Sequence, residues 1–405
     1  MFLTHYSFRG LALVMLGTGQ LLPAQSSAPV GDPPAVYLTW QRDPTTTMTV
    51  QWHTTNETAL RLEYRGTNEP WRIVAGTHHP LPQTDRTVHF AEITGLTPRT
   101  DYEFRFADGG PVFRFRTMPK DLEKPVRFVT GGDVFHERDW LDRMNTQAAR
   151  LDPAFVLWGG DIAYSCGGTN RGENMSRWLE LLDAWKQTRA PDGRLIPLLA
   201  TIGNHEVVGS YNRSPARAKG FYSVFATPGE RGYASLDFGR YLSVFLLDSA
   251  HTHPIAGEQT EWLRSNLAAR RRFTHLFAIY HVPAYPSFRR ETDGENARIV
   301  PALRTNWVPL FERYGVRVVF ENHDHTFKRT HPLLKGKVDP RGVVYLGDGC
   351  WGVDRRKPDP DRWYLARTSS VRHCWLVTLY RDARHILAIN EDGEVFDELF
   401  QRARN

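Results

Sequence analysis

Cysteine is scarce in this sequence, and no long apolar segment occurs after Leu22. The 405 residues include only three cysteines, Cys166, Cys350 and Cys374. An odd count leaves at least one thiol free or bonded to another chain, so a disulfide framework is not what holds the fold together. No later stretch has the roughly 20 consecutive apolar residues that a transmembrane helix needs. The sequence also has no internal repeat and no low-complexity segment.

The composition is that of a soluble globular protein, with 41% hydrophobic and 24% charged residues. The formal net charge of +6 is spread along the chain rather than clustered. We therefore expect no nucleic acid as a stable partner. The positive surplus either steers an anionic substrate towards the protein or simply solvates the surface. The length predicts two domains, and the sequence leaves the oligomeric state open.

Residues 1–28 are predicted to be a secretory signal peptide. Arg9 precedes an apolar run over residues 11–22, and small residues follow at positions 24–28. A charge, a short apolar stretch and a small cleavage region are typical of export signals. We expect the mature protein to be secreted or periplasmic and to have no membrane partner after cleavage. An uncleaved anchor is the lesser alternative.

Residues 29–118 are expected to form an all-β sandwich. Residues 48–53, 60–64 and 102–106 alternate apolar and polar side chains, which favours half-buried strands. The stretch 96–102 resembles the tyrosine corner of fibronectin type III domains, in which the side chain of Tyr102 would hydrogen-bond to nearby backbone. That resemblance makes Trp52 a core residue of the opposing sheet.

Residues 125–405 are expected to form a second domain of α/β type. Predicted strands occur at 126–129, 154–158, 198–202, 241–247, 275–280, 316–320 and 343–346, and predicted helices at 177–187 and 259–270. Strands that alternate with helices indicate a layered α/β structure. Such folds place their functional sites at the carboxyl ends of the strands.

Five short motifs follow predicted strands and together supply a set of metal ligands. They are Gly-Asp at 132–133, Gly-Asp-Ile-Ala-Tyr at 160–164, Gly-Asn-His-Glu at 203–206, Tyr-His at 280–281 and Asn-His-Asp-His at 322–325. The aspartate, tyrosine and single-histidine motifs each have an ordinary explanation alone, such as a turn aspartate or a core histidine, whereas His-Asp-His at 323–325 is a strong local signal by itself. Their joint occurrence at successive strand ends predicts a site for two metal ions about 3.5–4 Å apart, which is suited to hydrolysing phosphate esters.

This ordered set resembles that of the purple acid phosphatases, a family of the calcineurin-like metallophosphoesterases in which a fibronectin-like module also occurs. The resemblance implies a catalytic domain built as a layered α-β-β-α sandwich. It implies a first metal held by Asp133, Asp161, Tyr164 and His325, and a second held by Asp161, Asn204, His281 and His323. Asp161 would bridge the two ions, and His205 would lie just outside the ligand set as a catalytic residue.

The donor types support this assignment of metals. A phenolate and two carboxylates suit Fe³⁺ at the Tyr164 site, whereas an amide and two imidazoles suit Fe²⁺, Zn²⁺ or Mn²⁺ at the second. A trivalent ion acidifies bound water strongly, so hydroxide could attack phosphorus even in acid. His205 would hydrogen-bond the phosphate or protonate the leaving group. Glu206 either orients His205 or has a structural role.

The sequence departs from the family pattern in the residues expected to contact substrate. Asn322 stands where the family usually has glycine, and the histidine pair of the plant enzymes is missing after His281. Arg289 and Arg290 are candidates to bind phosphate, with a solvated loop as the alternative reading. His251 and His253 are further candidates. A disulfide between Cys166 and Cys350 near the site is the one pairing that the spacing suggests.

The sequence thus predicts an exported dinuclear acid phosphatase that acts on phosphomonoesters through attack of a metal-bound hydroxide. The ligand set leaves open a metallophosphodiesterase or nucleotidase of the same superfamily, because leaving-group preference depends on loops. A secreted binding or adhesion protein is a third alternative, against which all seven expected ligands argue.

Overall fold

The computed structural model describes residues 32–55, 61–106, 110–167, 172–229 and 232–403. The predicted signal peptide lies outside the described residues. Within these ranges, none of the helices has both the length and the apolar character needed to cross a membrane.

The N-terminal domain consists of two four-stranded antiparallel sheets, with strand orders β1-β2-β6-β5 and β4-β3-β7-β8. Its strands are β1 (Val36–Thr39), β2 (Met48–Thr54), β3 (Leu62–Gly66), β4 (Arg72–Val74), β5 (Thr77–Pro80), β6 (Thr87–Ile93), β7 (Asp101–Arg105) and β8 (Phe113–Arg116). Trp52 is buried among the core side chains, as expected. The predicted tyrosine corner is confirmed, because the Tyr102 hydroxyl accepts a hydrogen bond from Thr97 N at 2.9 Å.

The second domain contains two larger sheets that face each other. Its strands are β9 (Val126–Gly131), β10 (Val156–Gly159), β11 (Leu198–Thr201), β12 (Ala234–Phe238), β13 (Leu242–Leu246), β14 (His275–Ile279), β15 (Val318–Phe320), β16 (Phe327–Thr330), β17 (Leu333–Leu334), β18 (Lys337–Val338), β19 (Val344–Gly347), β20 (Leu365–Ser369), β21 (His373–Leu379), β22 (Ala383–Asn390) and β23 (Val395–Arg402). The sheet orders are β11-β10-β9-β21-β22-β23 and β12-β13-β14-β15-β19-β16-β20, and β17 and β18 form a separate hairpin.

Helices cover the outer faces of both sheets. They are α1 (Arg138–Arg150), α2 (Met175–Gln187), α3 (Lys219–Val224), α4 (Glu258–Ala269), α5 (Asn296–Asn306) and α6 (Val308–Tyr314). Helices α1 and α2 share a core with the first sheet, and α4, α5 and α6 share one with the second. Between the sheets, the ring of Phe128 lies 5.6 Å from that of Phe277. The predicted α/β class is therefore observed, as an α-β-β-α sandwich.

The two domains share apolar and polar contacts. The ring of Trp40 lies 5.9 Å from Phe155 and 5.7 Å from Phe238, so the core of the sandwich continues into the second domain. The Tyr37 hydroxyl donates a hydrogen bond to Val224 O at 2.7 Å. This contact ties strand β1 to helix α3.

Candidate metal centre

The candidate ligands lie at one edge of the two sheets, just beyond the carboxyl ends of five strands. Strands β9, β10 and β11 run parallel in the first sheet, and β14 and β15 run parallel in the second. Five of the seven residues have a left-handed φ, which is uncommon outside glycine and concentrates at functional sites. They are Asp133 (53°), Asp161 (51°), Tyr164 (52°), His323 (84°) and His325 (57°). These left-handed residues turn the backbone sharply after strands β9, β10 and β15.

The first group of side chains is Asp133, Tyr164 and His325. The Tyr164 hydroxyl lies 3.1 Å from Asp133 Oδ1 and 3.1 Å from His325 Nε2, and that Nε2 lies 3.1 Å from Asp133 Oδ1. His325 Nδ1 donates to the carbonyl of Asp354 at 3.2 Å. That hydrogen bond fixes the ring and leaves Nε2 facing the other two donors, as in metal-binding histidines.

The second group is Asp161, Asn204, His281 and His323. His281 Nε2 lies 3.0 Å from Asp161 Oδ2, 3.1 Å from Asn204 Oδ1 and 3.1 Å from His323 Nδ1. His281 Nδ1 donates to the carbonyl of Gly159 at 3.0 Å, which again directs the other ring nitrogen inward. One ligand atom from each of Asp161, His281 and His323 lies within 4.8 Å of the others.

The two groups are adjacent, and the charges within them interact strongly. Asp133 Oδ2 accepts a hydrogen bond from His323 N at 2.7 Å, which links the first group to the second. Burial is the largest single influence and disfavours the charged forms of Asp161 and His281, but the neighbouring charges and hydrogen bonds together outweigh it. The pKa of Asp161 is therefore lowered, and the pKa of His281 is raised to about 9, mainly by Asp161 and then by Asp133. A metal cation would replace the proton on His281 as the partner of these carboxylates.

Asn322 fits at the site because two neighbouring residues lack side chains. A Cβ atom at Gly132 or Gly159 would overlap the Asn322 amide group. The amide Nδ2 donates to Tyr280 O at 3.0 Å, and Asn322 N donates to His281 O at 3.0 Å. The asparagine therefore joins the ends of β14 and β15 without displacing His323.

His205 lies at the open side of the centre, where its ring stacks on Tyr164 at 4.4 Å. Its Nδ1 donates to Cys166 O at 2.7 Å, so Nε2 remains available and lies 3.9 Å from Asp161 Oδ2. Its side chain is 27% exposed, which is enough for contact with a substrate. The structure thus keeps His205 next to the candidate ligands but outside both groups.

Glu206 takes the structural role that the sequence had left as one of two options. Its carboxylate accepts hydrogen bonds from Ile162 N at 2.8 Å, Ala163 N at 3.2 Å and Gly203 N at 3.0 Å. It therefore holds the loop that carries Asp161, and the Cys166 carbonyl, not Glu206, orients His205.

The candidate substrate contacts behave differently from one another. His251 is fully buried, with its ring 5.6 Å from that of His281 and its Nε2 3.2 Å from Ser249 Oγ. It lies behind the second group rather than facing the open side, so the expected contact with substrate does not fit this position. His253 is turned towards Asp248, with Nδ1 3.5 Å from Oδ2.

The two arginines after His281 also differ. Arg289 Nη1 donates to the carbonyl of His323 and to Asp324 Oδ1, the latter at 2.9 Å. The side chain of Arg289 is 28% exposed. It lies close to the second group, and one of its guanidinium nitrogens is already bonded to the backbone of His323 and to Asp324. Arg290 is exposed on the surface loop.

Two further residues adjoin the ligands, and no motif in the sequence indicated them. The Tyr211 hydroxyl lies 3.2 Å from Asn204 Oδ1 and 3.4 Å from His323 Nε2. The ring of His136 lies 4.3 Å from the ring of Tyr164. His136 follows Asp133 by three positions, and this short spacing was the only available signal.

The suggested disulfide between Cys166 and Cys350 is wrong. All three cysteines are free and buried. Cys166 contributes its backbone to the site, because its N–H donates to His205 O at 2.7 Å and its carbonyl accepts from His205 Nδ1. Cys166 lies close to the ligand motifs in sequence because its backbone holds His205, and not because its thiol takes part in the site.

Comparison with known families agrees with the observed fold. Residues 33–117 match the model of the N-terminal domain of purple acid phosphatases, and residues 121–327 match that of calcineurin-like phosphoesterases. The chain therefore belongs to the purple acid phosphatase family of the calcineurin-like phosphoesterases.

Similar proteins include purple acid phosphatase 21 of Arabidopsis thaliana, which is 28% identical over 65% of this chain and 58% of its own length. An uncharacterized protein of Mycobacterium tuberculosis is 27% identical over 82% of this chain and 66% of its own length. The chain thus spans 58–66% of the length of these curated relatives.

Solved structures resemble this protein in fold. The purple acid phosphatase PPD1 from yellow lupin has a TM-score of 0.76 at 16% identity and covers 92% of this chain and 74% of its own. The structure of PhoD has a TM-score of 0.66 at 12% identity and covers 94% of this chain and 90% of its own. Both domains are included in these matches.

Proposed function

We propose that this protein is an exported, dinuclear metal-dependent acid phosphatase that hydrolyses phosphomonoesters. The observation that supports the proposal most directly is the convergence of the two ligand groups at one edge of the sheets. Side chains from five separate strand ends meet there with donor atoms about 3 Å apart. Family membership supports the same class of chemistry.

The residues present fit two metal ions. Asp133, Asp161, Tyr164 and His325 would hold Fe³⁺, because three of these ligands are hard anionic oxygen donors. Asp161, Asn204, His281 and His323 would hold Fe²⁺, Zn²⁺ or Mn²⁺, with Asp161 shared between the ions. When bound, the two ions would lower the pKa of water and neutralise charge on the phosphoryl group.

His205 is proposed as the proton donor to the leaving group. Its Nδ1 proton is held by the Cys166 carbonyl, so proton transfer would occur at Nε2. The stack on Tyr164 fixes the plane of the imidazole ring and limits its rotation. This arrangement keeps a proton-carrying atom at a constant position beside the ligands.

Metal content and the visible spectrum of the purified protein test the proposed metal pair. A tyrosinate ligand to Fe³⁺ should give a visible absorption band, and Tyr164→Phe should remove it. Tyr211→Phe is the matched control, since Tyr211 touches the second group only. Zinc or manganese without such a band would favour the alternative of a related phosphoesterase with another metal pair.

Two further measurements test the rest of the proposal. Release of phosphate from a generic aryl phosphate by the metal-loaded protein tests the activity. If no phosphate is released, the alternative of a binding or adhesion protein is favoured. Export is tested by cell fractionation together with the N-terminal sequence of the mature protein. A cytoplasmic protein that retains residues 1–28 would contradict it.

A further inference from the structure

A loop after β19 is held by two hydrogen bonds to His325 of the first ligand group and by a third to the neighbouring His136. His325 Nδ1 donates to Asp354 O at 3.2 Å, and Arg356 N donates to His325 O at 2.9 Å. Asp354 N donates to His136 Nδ1 at 3.3 Å. The backbone of Arg356 is therefore held directly beside a candidate ligand.

The side chain of Arg356 is half-buried and incompletely paired. Its Nη1 is buried and has no hydrogen-bond partner among the residues that the structure describes. Its guanidinium lies over the ring of Phe288, 5.4 Å from the centroid. Partial burial and then the charge of Arg289 lower the pKa of Arg356, while Asp133 and Tyr164 act in the opposite direction.

Arg356 therefore differs from Arg289, whose Nη1 already donates to Asp324 and to the His323 carbonyl. A buried charged donor without a partner is unfavourable, and such groups in native proteins call for an explanation. An anionic oxygen supplied by a ligand would satisfy it, because guanidinium groups bind phosphate oxygens with strong charge-assisted hydrogen bonds.

We propose that Arg356 binds a non-bridging oxygen of the substrate's phosphoryl group and thereby favours phosphomonoesters over phosphodiesters. A monoester dianion carries one more anionic oxygen than a diester, so a guanidinium at the phosphoryl group gains more from the monoester. Arg356 is then a specificity-determining residue. This inference rests on the proposed function and addresses the choice between monoester and diester that the ligands leave open.

The test uses Arg356→Ala in the full, metal-loaded protein, with Arg355→Ala as the control at the exposed neighbouring position. We expect kcat/KM for 4-nitrophenyl phosphate to fall about 10- to 100-fold and that for bis(4-nitrophenyl) phosphate to fall less than about threefold. The dissociation constant for orthophosphate, measured by calorimetry, should rise about 10- to 100-fold with metal content unchanged.

Arg356→Lys provides a second variant, which keeps the charge without the planar fork and should recover part of the orthophosphate affinity. Equal losses on the two substrates in Arg356→Ala, or unchanged orthophosphate affinity, would overturn the inference. If the unmodified protein hydrolyses neither substrate, the proposed function fails. The calorimetric titration still decides in that case whether Arg356 binds phosphate.

Discussion

The β-sandwich and the α/β domain both bury histidines, but the rings have different surroundings. In the sandwich, His89 stacks on Trp52 with ring centroids 5.0 Å apart, and the ring of His53 contacts that of Tyr37 at 5.8 Å. In the α/β domain, the ring nitrogens of His281 instead face a carboxylate, an amide and another imidazole. Both kinds of histidine are almost inaccessible to solvent, so burial alone does not distinguish them.

Position along the strand does distinguish them. His53 lies inside β2 and His89 inside β6, where ladder hydrogen bonds hold the chain extended. The candidate ligands lie two to five residues beyond strand ends, and most have left-handed φ angles. Among the described residues, the only cluster of potential metal ligands found among histidines, cysteines and acidic residues contains Asp161, His281 and His323. Buried histidines in the sandwich thus serve packing, whereas those past strand ends can serve chemistry.

The largest loss of activity is expected for His323→Ala. This change removes a proposed metal ligand of the second group, and we expect phosphatase activity to fall by about 10³-fold or more. Metal analysis should show loss of the second ion, and the thermal unfolding midpoint of the metal-free protein should change little. Normal activity with full metal content would contradict the comparison, because His323 would then be an interior histidine like His89.

The next largest loss of activity is expected for His205→Ala. The imidazole lies beside both groups but belongs to neither, so metal content should stay constant while kcat falls about 10²–10⁴-fold. The loss should be greater for alkyl phosphates than for 4-nitrophenyl phosphate, because an alkoxide needs a proton more than a nitrophenolate does. Equal losses on both substrates would mean that His205 binds phosphate rather than protonating the leaving group.

The sequence was sufficient to predict the two-domain fold and the residues that converge, because each depends on local pattern. The alternating strands of the sandwich and the Gly-Asp and His-x-His motifs are short-range signals. The paired parallel strands then bring the motif ends to one edge. The family comparison agrees with these predictions of fold and class.

The remaining features depend on contacts that no local pattern records. Arg356 belongs to the run Arg355-Arg356-Lys357, which reads as a solvated charge cluster until its backbone hydrogen bond to His325 is known. Likewise, nothing in the sequence around Tyr211 indicates that its hydroxyl reaches Asn204. The role of Glu206 was undecided, because adjacent position in sequence does not determine which backbone groups a carboxylate meets.

A smaller effect is expected for His53→Ala, which changes a packing histidine of the β-sandwich rather than a residue of the candidate metal centre. The change removes the contact of His53 with Tyr37 and leaves a cavity in the sandwich core, so we expect a loss of about 1–3 kcal/mol in the free energy of unfolding. Chemical denaturation measures this loss. At temperatures well below the unfolding midpoint, kcat and metal content should not change, and a drop in either would show that the sandwich histidines affect the site.

His53 also affects the pH dependence of stability. Burial, and then the charge of Arg86, lower the pKa of His53 to about 3, whereas a histidine in the unfolded chain titrates near 6.5. Above pH 6.5 His53 is neutral in both states and contributes no pH dependence. Between about pH 6.5 and 3 the unfolded chain binds a proton that the folded state does not, so stability falls as pH falls, by up to about 1.4 kcal/mol per pH unit.

His53→Gln removes this proton uptake while keeping a polar side chain at the position. We expect the unfolding free energy of the variant to decline less steeply than that of the unmodified protein when both are denatured chemically at pH 7, 5.5 and 4.5. Some decline should persist, since burial also lowers the pKa values of His89 and His275 to about 4. Identical slopes would mean that His53 takes up a proton over the same pH range in the folded and the unfolded state. A charged imidazole would not be compatible with its assignment as a packing residue beside Tyr37.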